Sequence, residues 1–582
     1  MLSAGNGGEA AGAVCGISFV LPAHNEEKHI FEMVRQTSMD AGATSPGHEI
    51  IVVDDGSTDD TAAEVERAAG EFEHVRLVKV PENQGKGYAM RRGFQASRGE
   101  LVCFIDADMD IHPSQVESLL ARMRREDADI VIGSKRHPES RLDYPRIRRI
   151  YSTVYYLLIL VLFRLPIKDT QTGIKVFRRD VLKRVFPRVV CKQYTLDLEL
   201  LAVAHSLGFS VAEAPIEIRF QRQYGRIGWR DVRNIIVDTF GIFYRMYVLK
   251  YYRSPIKPTV EEEPRISIVI PTRSIDSVTE ECIEKCGELN YSNYDIKVVP
   301  DMPVDGIQLP GGVKVIPSGP VGPSVKRNMG AGDGDADIVA FIDADAWPDL
   351  DWLRNAVPYF EDAGVGAVCG PAVTPASDSL RQQVSGLTYS SSMVSGNTTY
   401  RYAYHALREV DDYPSVNLLV RRADFDRAGG YPEEYWPGED TVLCLRLTRD
   451  LGKRIVYVPN VVVYHHRRAV YLPHLKQVYA YAVHRGFFVR AFPETSRRLQ
   501  FFVPSLFVVG LVVGFVASLF SRPIRCAYLS VVGLYGLLSM LSSIKTLSPA
   551  VNLMVFPGII ATNVTYGIGF LRGLFSRRMT EE

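Results

Sequence analysis

The chain carries no excess of charge: 67 Lys and Arg balance 67 Asp and Glu over 582 residues. That balance removes the broad cationic field of a nucleic-acid-binding protein, and no nucleic-acid partner is expected. The chain also lacks any C-x-x-C. Its eight cysteines, at 15, 103, 191, 282, 286, 369, 444 and 526, are scattered. Cys282 and Cys286 fall one helical turn apart, but no His or Cys cluster completes a zinc site beside them. Reduced, mostly buried thiols in a cytosolic compartment are therefore expected. The first 14 residues are rich in Gly and Ala and have no basic side chain, so 1–14 reads as a disordered end and not as a signal peptide. Charge is missing again toward the other end. Leu499–Phe520, Cys526–Ser543 and Ala550–Leu571 are uncharged and apolar, each near the roughly 20 residues that cross a bilayer. These stretches exclude an ordinary soluble protein and predict about three transmembrane helices over 499–575.

The flanking charges orient that multi-pass segment. Arg497 and Arg498 precede the first stretch, Arg522 and Arg525 follow it, Lys545 follows the second, and Arg572, Arg577 and Arg578 follow the third. Positive-inside counting places the large N-terminal part on the cytoplasmic face of a cell membrane. Three full crossings would then put the basic tail outside, so either one segment is re-entrant or the bias is overridden.

Within that N-terminal part the prominent feature is a repeat. Phe-Ile-Asp-Ala-Asp occurs at 104–108 and at 341–345, each time downstream of a β-branched run ending in Pro, Ile17–Pro22 and Ile266–Pro271. The interval from that Pro to the first Asp is 84 residues in one copy and 72 in the other. Two carboxylates one residue apart at the end of a buried strand can clamp a hard divalent cation, Mg²⁺ or Mn²⁺, which neutralises a diphosphate. Asp106 and Asp108 form one such pair and Asp343 and Asp345 the other. One D-x-D arises by chance; two in matching contexts predict two sugar-nucleotide-binding domains in tandem.

Strands and helices alternate through both copies. Ile17–Leu21, Glu49–Val53, Val75–Val80, Leu101–Ile105 and Ile130–Ile132 read as strands of the first. Ile266–Ile270, Asp295–Val299, Val313–Ile316, Ile338–Ile342 and Gly366–Cys369 read as strands of the second. The alternation predicts an α/β fold around a mostly parallel sheet, with ligands beyond the carboxyl ends of the strands. Residues 254–264, rich in Pro and Glu, read as a linker, which leaves domains at 15–253 and 265–498. Tyr151–Phe163 and Ile235–Tyr252 are apolar and aromatic with flanking cations, which suits the membrane interface, or else helices of a core or of a homo-oligomer.

In the first domain Pro22, Ala23, Asn25 and Glu26, with Asp54 and Asp55, would line a nucleotide pocket, the carboxylates accepting from base and ribose. Gly56-Ser57-Thr58-Asp59 is also an ordinary turn and helix cap. The loop 83–87 offers backbone N–H groups and Lys86 to phosphates. Arg219, Arg222 and Arg226, followed by Arg230 and Arg233, crowd one segment, and guanidinium groups fit a phosphate bidentately. Taken in order, PAHNEE, VVDDGSTDDT, ENQGKGYAMRRGF, FIDAD and DTQTGIKVFRRD resemble an inverting family 2 glycosyltransferase of GT-A fold, in particular the dolichyl- and polyprenyl-phosphate hexose synthases. The resemblance covers roughly residues 15–250. It implies a metal-bound nucleotide sugar, of the GDP-mannose or UDP-glucose type, and a lipid phosphate acceptor. Asp197 and Glu199 would then be a base, or would orient Arg and Lys, and the second role is the one expected.

The second domain resembles the wider membrane-anchored family 2 transferases over about residues 264–490. Pro271, Thr272, Asp301, Arg327 and Asp343 take the nucleotide-sugar positions there, although the Asp-Gly-Ser turn is missing. Trp436-Pro437-Gly438-Glu439-Asp440 opens a helical run, and in the family such a Glu-Asp pair carries the catalytic base, here Asp440 ahead of Glu439. That makes chemical sense: a phosphate acceptor is already an anion, whereas a sugar hydroxyl must lose its proton as it attacks. His466 or Arg467 would contact diphosphate or acceptor, a metal role for the His465–His466 pair being less expected because adjacent strand residues face opposite ways. Two other readings remain at this point: one domain serves as a silent binding module, or the chain is a polysaccharide synthase. Three spans and no Gln-x-x-Arg-Trp weigh against the latter.

Overall fold

The two β-branched runs form strands because both faces of each are covered, and a continuous apolar run is what a doubly buried parallel strand requires. Their lone polar residue is satisfied in the same way twice: Ser18 donates to Glu49 Oε1 at 2.6 Å and Ser267 to Asp295 Oδ1 at 2.8 Å. The computed structural model describes residues 16–44, 47–142, 146–191, 195–218, 229–253, 263–303, 312–546 and 548–576. It divides into two units, Met1–Arg253 and Ser254–Glu582.

The first unit holds a seven-stranded sheet of β1 (Ile17–Ala23), β2 (Glu49–Asp55), β3 (Val75–Val80), β4 (Leu101–Ile105), β5 (Ile130–Ser134), β6 (Ile174–Arg178) and β7 (Val211–Pro215), in the order β3-β2-β1-β4-β6-β5-β7. The eight-stranded sheet of the second unit contains β8 (Ile266–Pro271), β9 (Tyr294–Val299), β10 (Val313–Val315), β11 (Ile338–Phe341), β12 (Val365–Cys369), β13 (Arg408–Val410), β14 (Leu418–Arg421) and β15 (Arg454–Tyr457), in the order β10-β9-β8-β11-β14-β12-β15-β13. Apart from the added edge strand β13, the orders superpose strand for strand. The register is also shared: Ile17 faces Leu101 and Val20 faces Phe104, as Ile266 faces Ile338 and Val269 faces Phe341. One strand of the first sheet runs against the rest, β6 between β4 and β5, and two of the second do, β14 between β11 and β12 and the edge strand β13 beside β15. The βαβ alternation therefore describes each sheet except for these reversed strands.

Three C-terminal helices, Leu499–Phe520, Arg522–Ser543 and Pro549–Phe575, are long and apolar enough to cross a membrane. The second starts earlier than its uncharged stretch, at Arg522, because Pro523 suits the first helical turn. The third lies against the helix Leu472–Ala491 at close range. A Cβ on Gly573 would stand 1.9 Å from Val483 O, and one on Gly486 2.2 Å from Phe570 O. Small residues are what let backbones meet in this way. A buried polar staple, His474 Nε2 to Thr562 Oγ1 at 2.9 Å, ties the same two helices. In the first unit, helices Arg146–Phe163 and Trp229–Phe243 expose Val154, Leu157, Val161, Phe240 and the following Tyr244. This apolar face is of the kind that meets a membrane or another protein.

Candidate active sites

Strand ends gather the first site, as expected for this fold class. β1 ends in Pro22-Ala23, and Asn25 follows in the left-handed region at φ 55°. Asn25 N donates to Ser57 Oγ at 3.0 Å and its Oδ1 accepts from Thr58 N at 2.9 Å, while Glu26 N donates to Thr61 Oγ1 at 2.7 Å. The turn after β2 is thus sewn to the turn after β1. Asp54 Oδ1 accepts from Ser57 N at 3.0 Å. Both oxygens of Asp55 are occupied, by Gln84 N at 2.9 Å and Gly85 N at 2.7 Å. Burial pushes the Asp55 carboxyl up even against these amides. Asp55 shapes the 83–87 loop, a duty the sequence did not reveal.

That loop delivers Lys86, which begins the helix Lys86–Ala96. Its Nζ lies 2.6 Å from Asp106 Oδ1 and 3.6 Å from Asp197 Oδ2. Asp197, in the first turn of the helix Leu196–Ser206, also meets the buried Lys175 of β6 at 2.9 Å. Burial opposes charge on Lys86, but Asp106 and Asp197 outweigh it and push the ammonium pKa up. Burial would likewise raise Asp197, yet Lys175 and Lys86 hold it below the ordinary carboxylate range. A carboxylate held down by two ammonium groups is a poor proton acceptor. The arrangement therefore suits Asp197 to orienting the lysines better than to accepting a proton. Glu199 is structural: it accepts from Val190 N, Cys191 N and Arg245 Nη2 at 2.7–3.0 Å, and from Tyr252 OH. Within DTQTGIK, Gly173 is explained by crowding, since a Cβ there would stand 2.6 Å from Asp106 Oδ2. Asp108 Oδ1 accepts from Asp110 N at 3.2 Å. Arg219, Arg222 and Arg226 lie outside the described residues.

In the second unit the ends of β8 and β9 bring Pro271, Thr272 and Asp301 together. Lys326, unremarked in the sequence, pairs with Asp301 and donates to Thr272 O. The neighbouring Arg327 spans 2.7 Å to Asp343 and 2.7 Å to Glu439. The two sites therefore share a plan: a cation links the first Asp of D-x-D to an acid at a helix start, Lys86 to Asp197 in one and Arg327 to Glu439 in the other. Asp345 meets His465 Nε2 at 3.2 Å. Burial would raise Asp345, but His465 and Arg467 hold its pKa down. His466 faces away, bound by Asp378 and, at 3.2 Å, by Glu281. The alternation of strand faces thus puts His465 at the D-x-D and removes His466 from it. Arg467 Nη1 bonds the other nitrogen of His465 at 2.8 Å.

The two units differ at the base. Glu439 is consumed by Arg327, and its Oε2 accepts from Gly438 N at 2.9 Å. Asp440, next in the helix Glu439–Leu445, has no ion-pair partner among the described residues; its Oδ1 accepts from Thr441 N at 2.8 Å. Burial, then Glu439 and Asp412, push its pKa up to about 7. A partly exposed carboxylate poised near neutrality is suited to take a proton from a hydroxyl.

Each D-x-D supplies two hard oxygen donors, and among the described residues no group of three or more His, Cys, Asp or Glu is arranged to hold a metal ion. The carboxylate pair itself is a donor set that suits Mg²⁺ or Mn²⁺, which bind through one or two carboxylates with substrate phosphates and water completing the shell.

The profile of Glycosyl transferase family 2 matches residues 18–186 and again 267–427. The chain belongs to glycosyl transferase family 2. Two matches, one on each sheet, agree with the duplicated strand order. Among curated relatives of this family 2 glycosyltransferase, a dolichyl-phosphate beta-glucosyltransferase of Trichomonas vaginalis is 35% identical over 34% of this chain and 63% of its own length. The corresponding enzyme of Saccharomyces cerevisiae is 31% identical over 34% and 66%, and glycosyltransferase AglD of Haloferax volcanii 32% identical over 34% and 32%. The chain thus spans less than two thirds of these relatives. Glucosyl-3-phosphoglycerate synthase from Mycobacterium tuberculosis, solved with Mn²⁺ and UDP-glucose, aligns over 39% of this glycosyltransferase and 79% of its own chain at 23% identity and a TM-score of 0.32.

Proposed function

We propose that the chain is a bifunctional, membrane-associated glycosyltransferase working at the cytoplasmic face. The first domain transfers a hexose from a nucleotide sugar to dolichyl or polyprenyl phosphate, and the second transfers a sugar to a hydroxyl of a lipid-linked or other glycan acceptor, both with inversion. The carrying observation is the contrast between the acids of the two sites. Asp197 is neutralised by Lys86 and Lys175, whereas Asp440 has no ion-pair partner among the described residues and a pKa of about 7. A phosphate nucleophile needs cations and no base; a hydroxyl needs a base. The names of the dolichyl-phosphate beta-glucosyltransferase relatives favour glucose over mannose for the first donor.

Mg²⁺ or Mn²⁺, held by Asp106 and Asp108 or by Asp343 and Asp345, would neutralise the leaving diphosphate. Lys86 and Arg327 hold the first Asp of each pair in place, and Arg219, Arg222 and Arg226 would take the acceptor phosphate. In the second site the acceptor oxygen attacks the anomeric carbon from the side opposite the diphosphate. The bond to diphosphate breaks with its electron pair, and the hydroxyl proton passes to Asp440. His465, beside Asp345, is a further group within reach of the metal or diphosphate.

Donor consumption by the full chain, assayed with UDP- and GDP-hexoses in wild type, Asp108→Ala and Asp345→Ala, tests this reading. Each substitution should remove one donor activity and spare the other. Two activities lost together would contradict two independent sites.

A further inference from the structure

A cavity of about 1660 Å³ in the second unit runs from Asp343 past Asp440 and Tyr481 to Phe507, Tyr535 and Tyr566 on the three apolar helices. Its charged groups are unevenly committed. Lys326 and Arg327 are taken by Asp301, Asp343 and Glu439. Five further arginines line the cavity, 273, 401, 467, 468 and 485, and among the described residues only Arg401 and Arg485 of these have an ion-pair partner, which they share: Asp412, at 3.3 and 2.9 Å. Burial would raise Asp412, but Arg485 and Arg401 hold it well below the usual range. Three guanidinium nitrogens, Arg485 Nη1, Arg467 Nε and Arg401 Nε, are buried without a hydrogen-bond partner, and Arg467 is only 9% exposed. Unsatisfied buried donors on a cation are costly, so an anion arriving from outside would be strongly favoured.

Position identifies the kind of anion. Arg485 lies over the ring of Phe501 at 4.9 Å, at the start of the first apolar helix. That is the level at which the phosphate of a lipid meets the hydrocarbon edge. Val503 lines the same cavity and is 53% exposed, so the cavity opens sideways at this height. Arg485 Nη2 also reaches Thr441 Oγ1 at 3.4 Å, one residue from the base. Polar side chains in spanning segments are costly unless they serve a cavity, and Tyr535 and Tyr566 do.

We propose that the second site takes as acceptor a sugar joined to a lipid through a phosphate. The phosphate docks on Arg485 with Arg467 and Arg468, the lipid tail leaves past Val503, and a hydroxyl of the sugar faces Asp440. This rests on the second domain being a transferase.

The test uses the full chain in detergent with three acceptors: a hexosyl phosphate esterified to a long isoprenoid, the same hexosyl phosphate as its ethyl ester, and octyl hexoside. The isoprenoid phosphodiester should exceed octyl hexoside in kcat/KM by about 30-fold or more, the usual scale for a desolvated charge pair. Arg485→Gln should erase that preference, raising KM for the phosphodiester and not for octyl hexoside, whereas Arg454→Gln, on the exposed surface, should not. Arg468→Gln, which breaks no ion pair, should act in the same direction if Arg485→Gln unsettles the fold. Equal use of octyl hexoside would overturn the proposal, and equal use of the ethyl ester would overturn the lipid. Equilibrium binding of the isoprenoid phosphodiester to the Asp440→Asn chain separates the two readings. Arg485-dependent binding without any transfer by wild type would sink the transferase reading alone; transfer only to octyl hexoside would sink this one alone.

Discussion

Asp440→Asn removes one oxygen's basicity and leaves shape, so its effect isolates the proton. With a pKa of about 7, the Asp440 carboxyl is about one-tenth ionised at pH 6 and about one-hundredth at pH 5. The second transfer should therefore lose about tenfold in kcat/KM per pH unit below 7 and level off above it. An unperturbed Asp, near 3.9, would leave the rate flat over the same range. Loss of a general base is worth roughly two to four decades, or about 3 to 5 kcal/mol of barrier. In Asp440→Asn the residual rate should be lower by that factor and lose its limb near pH 7. Stability moves the other way. A carboxyl whose folded pKa lies above its unfolded value favours the native state below about pH 4, and that contribution is lost as the pH rises to about 7. Asp440→Asn should then match or exceed the wild-type Tm at pH 8. Initial rates from pH 5 to 8.5, with Tm at each pH, make the assay. A flat wild-type profile, or an Asn variant that keeps the limb, would refute the assignment.

Glu439→Gln should behave differently from its neighbour. It strips Arg327 of one of two partners inside a buried pair, so a cost of about 3 kcal/mol or more is expected as a lowered Tm, together with a raised donor KM. Gly173→Ala should disable the first transfer and spare the second, because its Cβ would stand 2.6 Å from Asp106; product analysis with both acceptors checks this. Asp108→Ala should abolish lipid-phosphate glycosylation without lowering Tm, and the wild-type activity should vanish in EDTA. Arg226→Ala should raise KM for polyprenyl phosphate well beyond any change for the nucleotide sugar, measured by varying each in turn.

Strand cores, the repeat and the three apolar helices were legible because they follow from local composition: buried parallel strands are continuous β-branched runs, and spans are long and uncharged. The reversal of β6 and β14 was not. Neither Ile174–Arg178 nor Leu418–Arg421 was among the strands expected from the sequence, and the direction of each is set by pairing with its neighbours. Around the sites, the sequence located the strand-end acids but not their partners. Lys175 and Lys326 are buried against Asp197 and Asp301, contacts made across distances no local pattern encodes. Asp55 also holds the 83–87 loop through Gln84 N and Gly85 N, a duty no local pattern announces. Alternation of strand faces warned that His465 and His466 diverge, without saying which one meets Asp345. Arg485 escaped notice because the buried face of its helix, His474, Val478, Ala482 and Gly486, is built mostly of small and polar residues and makes no apolar stripe.

The central claim, two sites of opposite acid–base character in one chain, is tested most directly by product analysis of the full chain given nucleotide sugar, polyprenyl phosphate and a hydroxyl acceptor. Wild type, Asp108→Ala, Asp440→Asn and the double variant would be compared at pH 8. This division of labour requires that Asp108→Ala lose only the lipid-phosphate product, Asp440→Asn only the hydroxyl-linked product, and the double variant both. An Asp440→Asn chain that still makes the hydroxyl-linked product at the wild-type rate would contradict it.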